Sequence, residues 1–154
     1  MSSIGGSPSN DSLSTASCQA ILECLSEALI FADNAGLIQL WNPGAEFLFG
    51  YTRAESIGQS LDLIIPEHLR KAHWDGFHRA VSAGATVHAR RSIITRALHK
   101  SGQPLYVDMS FALVKNQAGE TIGSTAVARD ATQRHFDEKN LRRQLAELTA
   151  RQSK

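Results

Sequence analysis

Apolar and polar side chains alternate in several stretches of the chain, and this period of two is typical of half-buried β-strands. Two short apolar runs, at 28–33 and 37–41, flank Asn34 and Gly36, which favour a turn. They therefore predict a β-hairpin. Longer alternating stretches predict three further strands, at 87–98, 104–114 and 121–129.

Helical spacing of apolar residues separates and flanks these strands. A short amphipathic pattern covers 18–27, and two short helical patterns follow the hairpin between 43 and 58. A longer helix is predicted from 67 to about 82, after Pro66. A charged helical pattern runs from 132 to about 150.

The order of these elements predicts one α+β domain, with helices covering one face of an antiparallel sheet. We expect a disordered polar tail at 1–17, a cap helix at 18–27, the domain itself at 28–130 and a C-terminal helix at 131–154.

Composition narrows the function classes. The chain has 154 residues, 42% hydrophobic and 20% charged, with a formal net charge of +1. This balance gives no bulk attraction to nucleic acid or to an anionic membrane. The apolar runs are too short to span a bilayer, and the N-terminus lacks the pattern of a secretory signal. We interpret Cys18 and Cys24 as reduced thiols and expect a cytoplasmic protein.

Motifs of common enzyme classes are absent from the sequence. It contains no G-x-S-x-G, no P-loop and no H-E-x-x-H run. We therefore expect a protein that is not an enzyme.

Several short motifs, in this order and spacing, resemble those of the PAS family. They are DNAGLIQLWN at 33–42, AEFLFGY at 45–51 followed by Gly58, the turns HKSG at 99–102 and QAGE at 117–120, and RDAT at 129–132. The resemblance implies a five-stranded antiparallel sheet in the order 2-1-5-4-3, with a ligand cavity between the sheet and the helices. It also implies a sensory, signal-transducing module whose signal exit is Asp130, the cap of the outgoing helix.

His73 lies on the apolar face of the predicted helix, with Gly76 and Phe77. By pattern alone, such a histidine is more often a core residue that is hydrogen-bonded to the backbone. The run HWDGF at 73–77, however, is similar to that of bacterial haem-binding PAS sensors of oxygen and carbon monoxide. This resemblance implies haem b as the cofactor, His73 as the iron ligand and His68 as the fallback ligand. The signal would be a diatomic gas (O2, CO or NO) or a redox state.

The opposite wall of such a cavity is expected on the fourth and fifth strands. Alternation places Leu105, Val107 and Met109 on one face of the fourth strand. Ile122 and Ala126 belong to a fifth strand of mostly small side chains, which leaves volume for a cofactor. Packing by a helix or a dimer partner is the alternative for this face. Met109 is also a candidate sixth ligand, and the candidate partners of the haem propionates are His88, Arg90 and Arg91.

Other cofactors are weighed against haem. Because no cysteine follows Cys24, the cysteine adduct of blue-light flavin photoreceptors is excluded. The alternatives are FAD stacked on Trp41 or Trp74, a small metabolite, and a cofactor-free dimerisation or interaction module.

An apolar stripe runs along the predicted C-terminal helix, formed by Phe136, Leu141, Leu145 and Leu148. The leucines fit a short coiled-coil seam and predict a homodimer, with the cap helix helping to cover the same surface. The alternative is a helix that folds back on its own sheet. We expect the output to pass to a downstream signalling protein or to an output domain separated from this sequence.

Overall fold

The computed structural model describes residues 13–87 and 91–152. Five antiparallel strands form one sheet in the order β2-β1-β5-β4-β3, which confirms the predicted α+β fold and strand order. The strands are β1 Ala28–Asp33, β2 Ile38–Trp41, β3 Ser92–Leu98, β4 Pro104–Lys115 and β5 Thr121–Asp130. The helices are α1 Thr15–Cys24, α2 Pro43–Phe49, α3 Arg53–Ser56, α4 Glu67–Ala83 and α5 Thr132–Gln152, with a 3-10 helix at Leu61–Leu63 before α4.

The β1–β2 hairpin turns where it was predicted to turn. The Asp33 carboxylate accepts hydrogen bonds from the backbone N–H groups of Ala35 and Leu37, each at 3.0 Å. Gly36 has a φ of 78°, in the left-handed region that glycine enters without a Cβ clash. Local hydrogen bonding and one glycine therefore explain the reversal of the chain.

Asn42 connects the hairpin to the helices. Its side-chain oxygen accepts hydrogen bonds from the N–H of Ala45 at the start of α2 and from the N–H of Leu29 in β1. Its side-chain nitrogen donates to the backbone oxygens of Leu22 and Glu27. A single buried side chain therefore caps α2 and ties the end of α1 to the sheet.

The helices between β2 and β3 start and stop at residues suited to those positions. The predicted capping box of α3 is present, formed by Thr52 and Glu55. Pro66 is the N-cap residue of α4, and Gly84 ends that helix with a φ of 64°. These ends place α4 across the inner face of the sheet.

The core lies between that inner face and the helices α2 and α4. Trp41 and Phe49 are fully buried and their ring centroids lie 5.4 Å apart. Phe77 of α4 is buried against the same cluster. On the strands, the buried inward-facing residues are mostly small or medium-sized: Ala28, Ile30, Ala32, Ala97, Val107 and Ala128.

The first turn of α5 packs on the outer face of β4. The ring of Tyr106 stacks on His135 with centroids 3.7 Å apart, and the Tyr106 carbonyl accepts a hydrogen bond from the N–H of Ala131. The Asp130 carboxylate accepts a hydrogen bond from the N–H of Thr132 at 2.9 Å. No residue of α5 is buried, so the helix projects from the domain beyond its first turns.

Two predicted boundaries differ from the structure. α1 begins at Thr15 because Ser14 caps it, accepting a hydrogen bond from the N–H of Ser17. The predicted disorder is therefore wrong for 15–17, while 1–12 lie outside the described residues. β3 is described only from Ser92, and 88–90 of the predicted strand also lie outside the described residues.

None of the described helices combines the length and the apolar character that crossing a membrane requires.

Candidate functional site

A cavity of about 710 Å³ lies between α4 and the inner face of the sheet. Its volume falls within the range of roughly 300–1,000 Å³ that is usual for small-molecule and cofactor sites. One wall is helical, from Leu69, Ala72, His73, Gly76, Ala80 and Ala83. The facing wall comes from the strands and includes Ile93, Thr95, Met109, Phe111, Leu113 and Ala126.

Four of the α4 residues that line the cavity have small side chains: Ala72, Gly76, Ala80 and Ala83. Gly76 lies one turn after His73, and a Cβ placed on Gly76 would have no heavy atom within 4 Å. Glycine inside a helix costs stability relative to alanine, so its presence here is informative. The surface around Gly76 leaves room for a flat molecule to approach the backbone of α4.

The sheet wall is mainly apolar because of strand alternation. Met109 and Phe111 of β4 point inward, and each is paired across the sheet with an alanine of β5, Ala128 and Ala126 respectively. Large side chains on β4 beside small ones on β5 produce a wall with a depression over β5.

His73 is half-buried at the edge of this cavity. Its Nδ1 atom is buried and has no hydrogen-bond partner among the described residues. Burial lowers the pKa of His73 below its ordinary value, the carboxylate of Asp62 opposes that shift, and His78 adds to it. The imidazole is therefore favoured in its neutral form, which is the form that binds a metal ion.

Two aromatic rings border the imidazole of His73. The indole of Trp74 meets it edge-on at 4.9 Å between centroids, with an interplanar angle of 80°. The ring of Phe77 lies 6.0 Å away at 30°, in a stacked arrangement. The side chain is thus held by packing rather than by a hydrogen bond to Nδ1.

The structure brings five of the sequence-predicted site residues together at the cavity. They are His73, Gly76, Phe77, Met109 and Ala126.

Three others lie elsewhere. Val107 is fully buried within the core, and Leu105, on the same face of β4, borders a second, more open groove of about 610 Å³ beside the start of α5. Ile122 is 42% exposed. The register of β5 against β4 shifts beside it, because Val114 pairs with Gly123 but Lys115 pairs with Thr121. Ile122 is the extra residue of this irregularity, which interrupts the alternation of β5, and it is not among the residues that line the cavity.

The fallback ligand also lies outside the cavity. His68 is exposed on the first turn of α4 and is not among the lining residues.

The candidate propionate partners are placed differently from the prediction. His88 and Arg90 lie outside the described residues, and Arg91 is exposed without lining the cavity. Arg79 and Arg96, which the sequence analysis did not select, do line it. Arg79 follows His73 by less than two helical turns and lies off the apolar stripe. Arg79 could have been identified from the length of its side chain, because an arginine can reach across the surface of its own helix.

Neither tryptophan lines the cavity. Trp41 is fully buried and donates its indole N–H to the carbonyl of Tyr51 at 3.0 Å. Trp74 donates its indole N–H to the Asp62 carboxylate at 2.8 Å. The side chains predicted to stack on a flavin are therefore engaged in packing and hydrogen bonding behind the cavity wall.

Among the described residues, no group of three or more His, Cys, Asp or Glu side chains is placed to hold a metal ion. A haem iron takes four ligands from its own porphyrin and needs one side chain from the protein, a role that suits a single histidine such as His73.

Known proteins resemble this chain over between 36% and 85% of its length. A protein of Azorhizobium caulinodans, described only as uncharacterised, is 32% identical over 132 residues, which is 85% of this chain and 18% of that protein. The sensor protein FixL of Bradyrhizobium diazoefficiens is 40% identical over 55 residues, 36% of this chain and 11% of FixL. The oxygen sensor protein DosP of Escherichia coli is 35% identical over 98 residues, 62% of this chain and 12% of DosP. The chain thus spans less than a fifth of the length of each of these relatives.

Solved structures share the fold. The PAS domain of a Colwellia psychrerythraea protein superposes with a TM-score of 0.66 at 22% identity, covering 75% of this chain and 95% of that domain. An RNA-binding Light-Oxygen-Voltage receptor superposes with a TM-score of 0.68 at 23% identity, covering 94% of this chain and 41% of the receptor. At these identities the likeness concerns the fold alone.

The family model described as the PAS fold matches residues 17–131, from within α1 to the residue before α5. The strand order of the sheet and the cavity under α4 are consistent with this family match. The chain belongs to the PAS family.

Proposed function

We propose that this chain is the sensory module of a signalling protein, that it binds haem b through His73, and that it responds to a diatomic gas (O2, CO or NO) or to a redox state. The observation that carries the proposal is the imidazole of His73, which lines an apolar cavity and whose pKa is lowered by burial, so that its neutral form is favoured. A neutral imidazole on the wall of an apolar cavity is a usual protein ligand of a haem iron, so a ligand role gives this half-buried polar ring a function.

The residues present fit a haem in three respects. His73 offers a neutral nitrogen base, and Gly76 leaves the adjacent surface of α4 open for a flat ring. The sheet wall around Met109 and Phe111 is apolar, as a porphyrin face requires. Arg79 lines the same cavity and supplies a cation for a propionate. When bound, haem supplies an iron at which a gas is exchanged or an electron is gained or lost.

Similarity to named proteins supports the choice of signal. One relative is named an oxygen sensor protein and another a sensor protein. Met109 lies on the wall that faces α4, where a residue of the sheet would sense what occupies the cavity. We infer a sensory rather than a catalytic role.

The absorption spectrum of the purified chain, supplemented with haem during expression, tests this proposal. We expect a Soret band in the wild type and its loss or displacement in His73→Ala, because the only histidine lining the described cavity is then removed. His68→Ala is the matched control: it removes an exposed histidine of the same helix and should keep the wild-type spectrum.

The same spectra judge the alternatives. A protein that stays colourless after haem supplementation would overturn the haem proposal and favour a metabolite or a cofactor-free interaction module. A flavin spectrum would also overturn the haem proposal and would favour FAD as the cofactor. If His73→Ala kept the wild-type spectrum and His68→Ala lost it, the ligand role would pass to His68.

The output is proposed to leave through α5. Asp130 and Thr132 connect the end of β5 to this helix, and the helix projects from the domain with exposed leucines. We infer that these leucines pair with those of a second copy, and that the dimer passes the signal to a downstream signalling protein or to an output domain.

A further inference from the structure

Trp74 lies behind the cavity wall, between His73 and two other elements of the fold. Its indole N–H donates to the Asp62 carboxylate in the 3-10 helix at 2.8 Å. Its six-membered ring presses on Gly36 in the β1–β2 turn, so closely that a Cβ on Gly36 would overlap Cη2 and Cζ3 of the indole. His78 stacks on the indole with centroids 5.8 Å apart. The indole is therefore held at several points.

Asp62, the acceptor of the indole N–H, is itself held in place. Arg70 donates from Nη2 to the Asp62 carbonyl at 3.2 Å and from Nε to the Ile65 carbonyl at 3.1 Å. Arg70 Nε also lies 3.7 Å from Oδ1 of Asp62. The backbone N–H of Asp62 donates to the Ser60 hydroxyl at 3.1 Å. The carboxylate thus offers the indole a fixed anchor.

His73 depends on its neighbours for its orientation. A histidine that binds a metal ion through one nitrogen is usually oriented by a hydrogen bond from the other nitrogen to an acceptor. Nδ1 of His73 has no such partner in the described part of the chain. The imidazole of His73 instead makes a T-shaped contact with the indole of Trp74 and a stacked contact with the ring of Phe77.

We propose that Trp74 is the positioning residue of the His73 imidazole, and that the hydrogen bond from its indole to Asp62 makes this positioning rigid. The inference rests on the proposed function of His73 as the cofactor ligand. In this arrangement the aromatic contact with Trp74 orients the imidazole of His73, a role that a hydrogen-bond acceptor has for most metal-binding histidines. It also ties the ligand to the β1–β2 turn through the contact of Trp74 with Gly36.

Substitutions at both ends of the hydrogen bond test this proposal. Trp74→Leu removes the ring, and Asp62→Leu removes the anchor together with the negative charge that acts on His73 and Arg70. Asp62→Asn removes the same charge, so the comparison of the two Asp62 variants isolates the hydrogen bond. Asp62→Asn keeps an oxygen that can accept the indole N–H and is the conservative rescue. Trp41→Phe is the matched control, because it breaks an indole hydrogen bond of the same kind in the core, away from the cavity.

The first readout is the imidazole of His73 in the cofactor-free protein. In NMR spectra of the full chain with labelled histidine, we expect one set of His73 ring signals in the wild type, in Asp62→Asn and in Trp41→Phe. We expect doubled or broadened signals, with weaker ring contacts to Phe77, in Trp74→Leu and Asp62→Leu. Thermal unfolding of each variant shows which of them fold, and Trp41→Phe shows that lost stability alone leaves the His73 signals in place.

The second readout is the haem-loaded protein. We expect the iron–imidazole stretching band to broaden or shift in Trp74→Leu and Asp62→Leu, and haem affinity to fall about tenfold or more, as for other residues that orient metal ligands. Asp62→Asn should restore both to wild-type values.

The outcomes separate this inference from the proposed function. A single sharp set of His73 ring signals with wild-type contacts to Phe77 in folded Trp74→Leu and Asp62→Leu overturns the positioning role, even if the wild type binds haem. A wild type that takes up no haem overturns the proposed function, while the ring signals of the cofactor-free variants still decide how His73 is oriented. If Asp62→Asn behaves as Asp62→Leu does, the hydrogen bond is not the anchor, and that part of the proposal is wrong.

Discussion

At the scale of single residues, Gly76 shows how the cavity is built at the expense of helix stability. It lies inside α4, a helix of 17 residues, where glycine is less stable than alanine by about 0.5–1 kcal/mol. A methyl group at this position would meet nothing within 4 Å, so no packing constraint excludes alanine. The proposed close approach of a ligand to the helix backbone accounts for glycine at this position.

We therefore expect Gly76→Ala to stabilise the cofactor-free protein and to weaken haem binding. The melting temperature should rise by about 2–4 °C, as expected for roughly 1 kcal/mol in a protein of this size. Haem titration followed in the Soret region measures the second effect.

Ser82→Ala is the matched control for this prediction. Ser82 is an exposed position of the same helix that does not line the cavity, so its substitution should leave haem titration unchanged. A Gly76→Ala protein that binds haem as the wild type does would show that nothing approaches the backbone there.

Two other residues show where reasoning from pattern fails at this scale. The mostly small side chains of β5 predict that Ile122 lines the cavity, but the register shifts beside it and its side chain is exposed. Arg79 lies off the apolar stripe of α4, yet it lines the cavity. The first error arises because a bulge depends on how a strand pairs, and the second because a long side chain reaches beyond its own helical face.

At the scale of elements, the junction of β4 with α5 joins the domain to its projecting helix. Arg134 of α5 donates to the carboxylate of Asp108 on the outer face of β4 at 3.2 Å. The Asp108 side chain is only 13% exposed. The neighbouring Ser92 hydroxyl, together with Arg134, holds the pKa of Asp108 below its ordinary value.

This shift gives the junction a pH dependence of known sign. A carboxyl group whose pKa is lowered on folding contributes stability above its unfolded pKa of about 3.9, and loses that contribution as the pH falls through its folded value. We expect Asp108→Asn to lower stability at pH 7 and to make the acid side of the stability–pH curve shallower. Thermal unfolding followed by circular dichroism between pH 2.5 and 7, values chosen to bracket roughly that range, measures both.

Asp75→Asn serves as the comparison for the junction. Asp75 pairs with Lys71 on the exposed surface of α4 and also has a lowered pKa. Because exposed i,i+4 ion pairs contribute little to stability, this variant should follow the wild-type curve closely. If Asp108→Asn followed it equally closely, the ion pair with Arg134 would not hold α5 on the sheet.

At the scale of the whole molecule, two helices leave their apolar side chains uncovered. In α5, Phe136, Leu141, Leu145 and Leu148 are between 43% and 59% exposed. In and after α1, Ile21 and Leu25 are 46% and 36% exposed. The alternative in which α5 folds back on its own sheet is not the arrangement seen, because no residue of α5 is buried.

We expect the wild-type chain to form a dimer and Leu145→Glu to shift it toward the monomer, since a charge in a two-heptad seam is poorly tolerated. Sedimentation equilibrium over a range of concentrations measures the change. Gln144→Glu adds the same charge at the neighbouring position, outside the leucine seam, and should stay dimeric. A wild type that is monomeric throughout would show that this helix pairs with a different partner.

The sequence by itself determined the types of most elements, the α+β class and the face of α4 that carries His73. These features follow from local periodicity, capping residues and turn residues, which act over a few positions. The sequence did not indicate that Ser14 caps α1, because a serine in a polar stretch is distinctive only when the helix that follows it is known.

Only the tertiary structure decided which residues meet at the cavity. Leu105 and Met109 share a face of β4, yet they border different spaces, because different elements cover the two ends of that strand. Trp74 contacts Gly36 and Asp62 across long stretches of sequence, and neither contact follows from spacing. Periodicity specifies which face of an element turns inward, but the residues that it then faces depend on pairings between distant segments, which packing of the whole core selects.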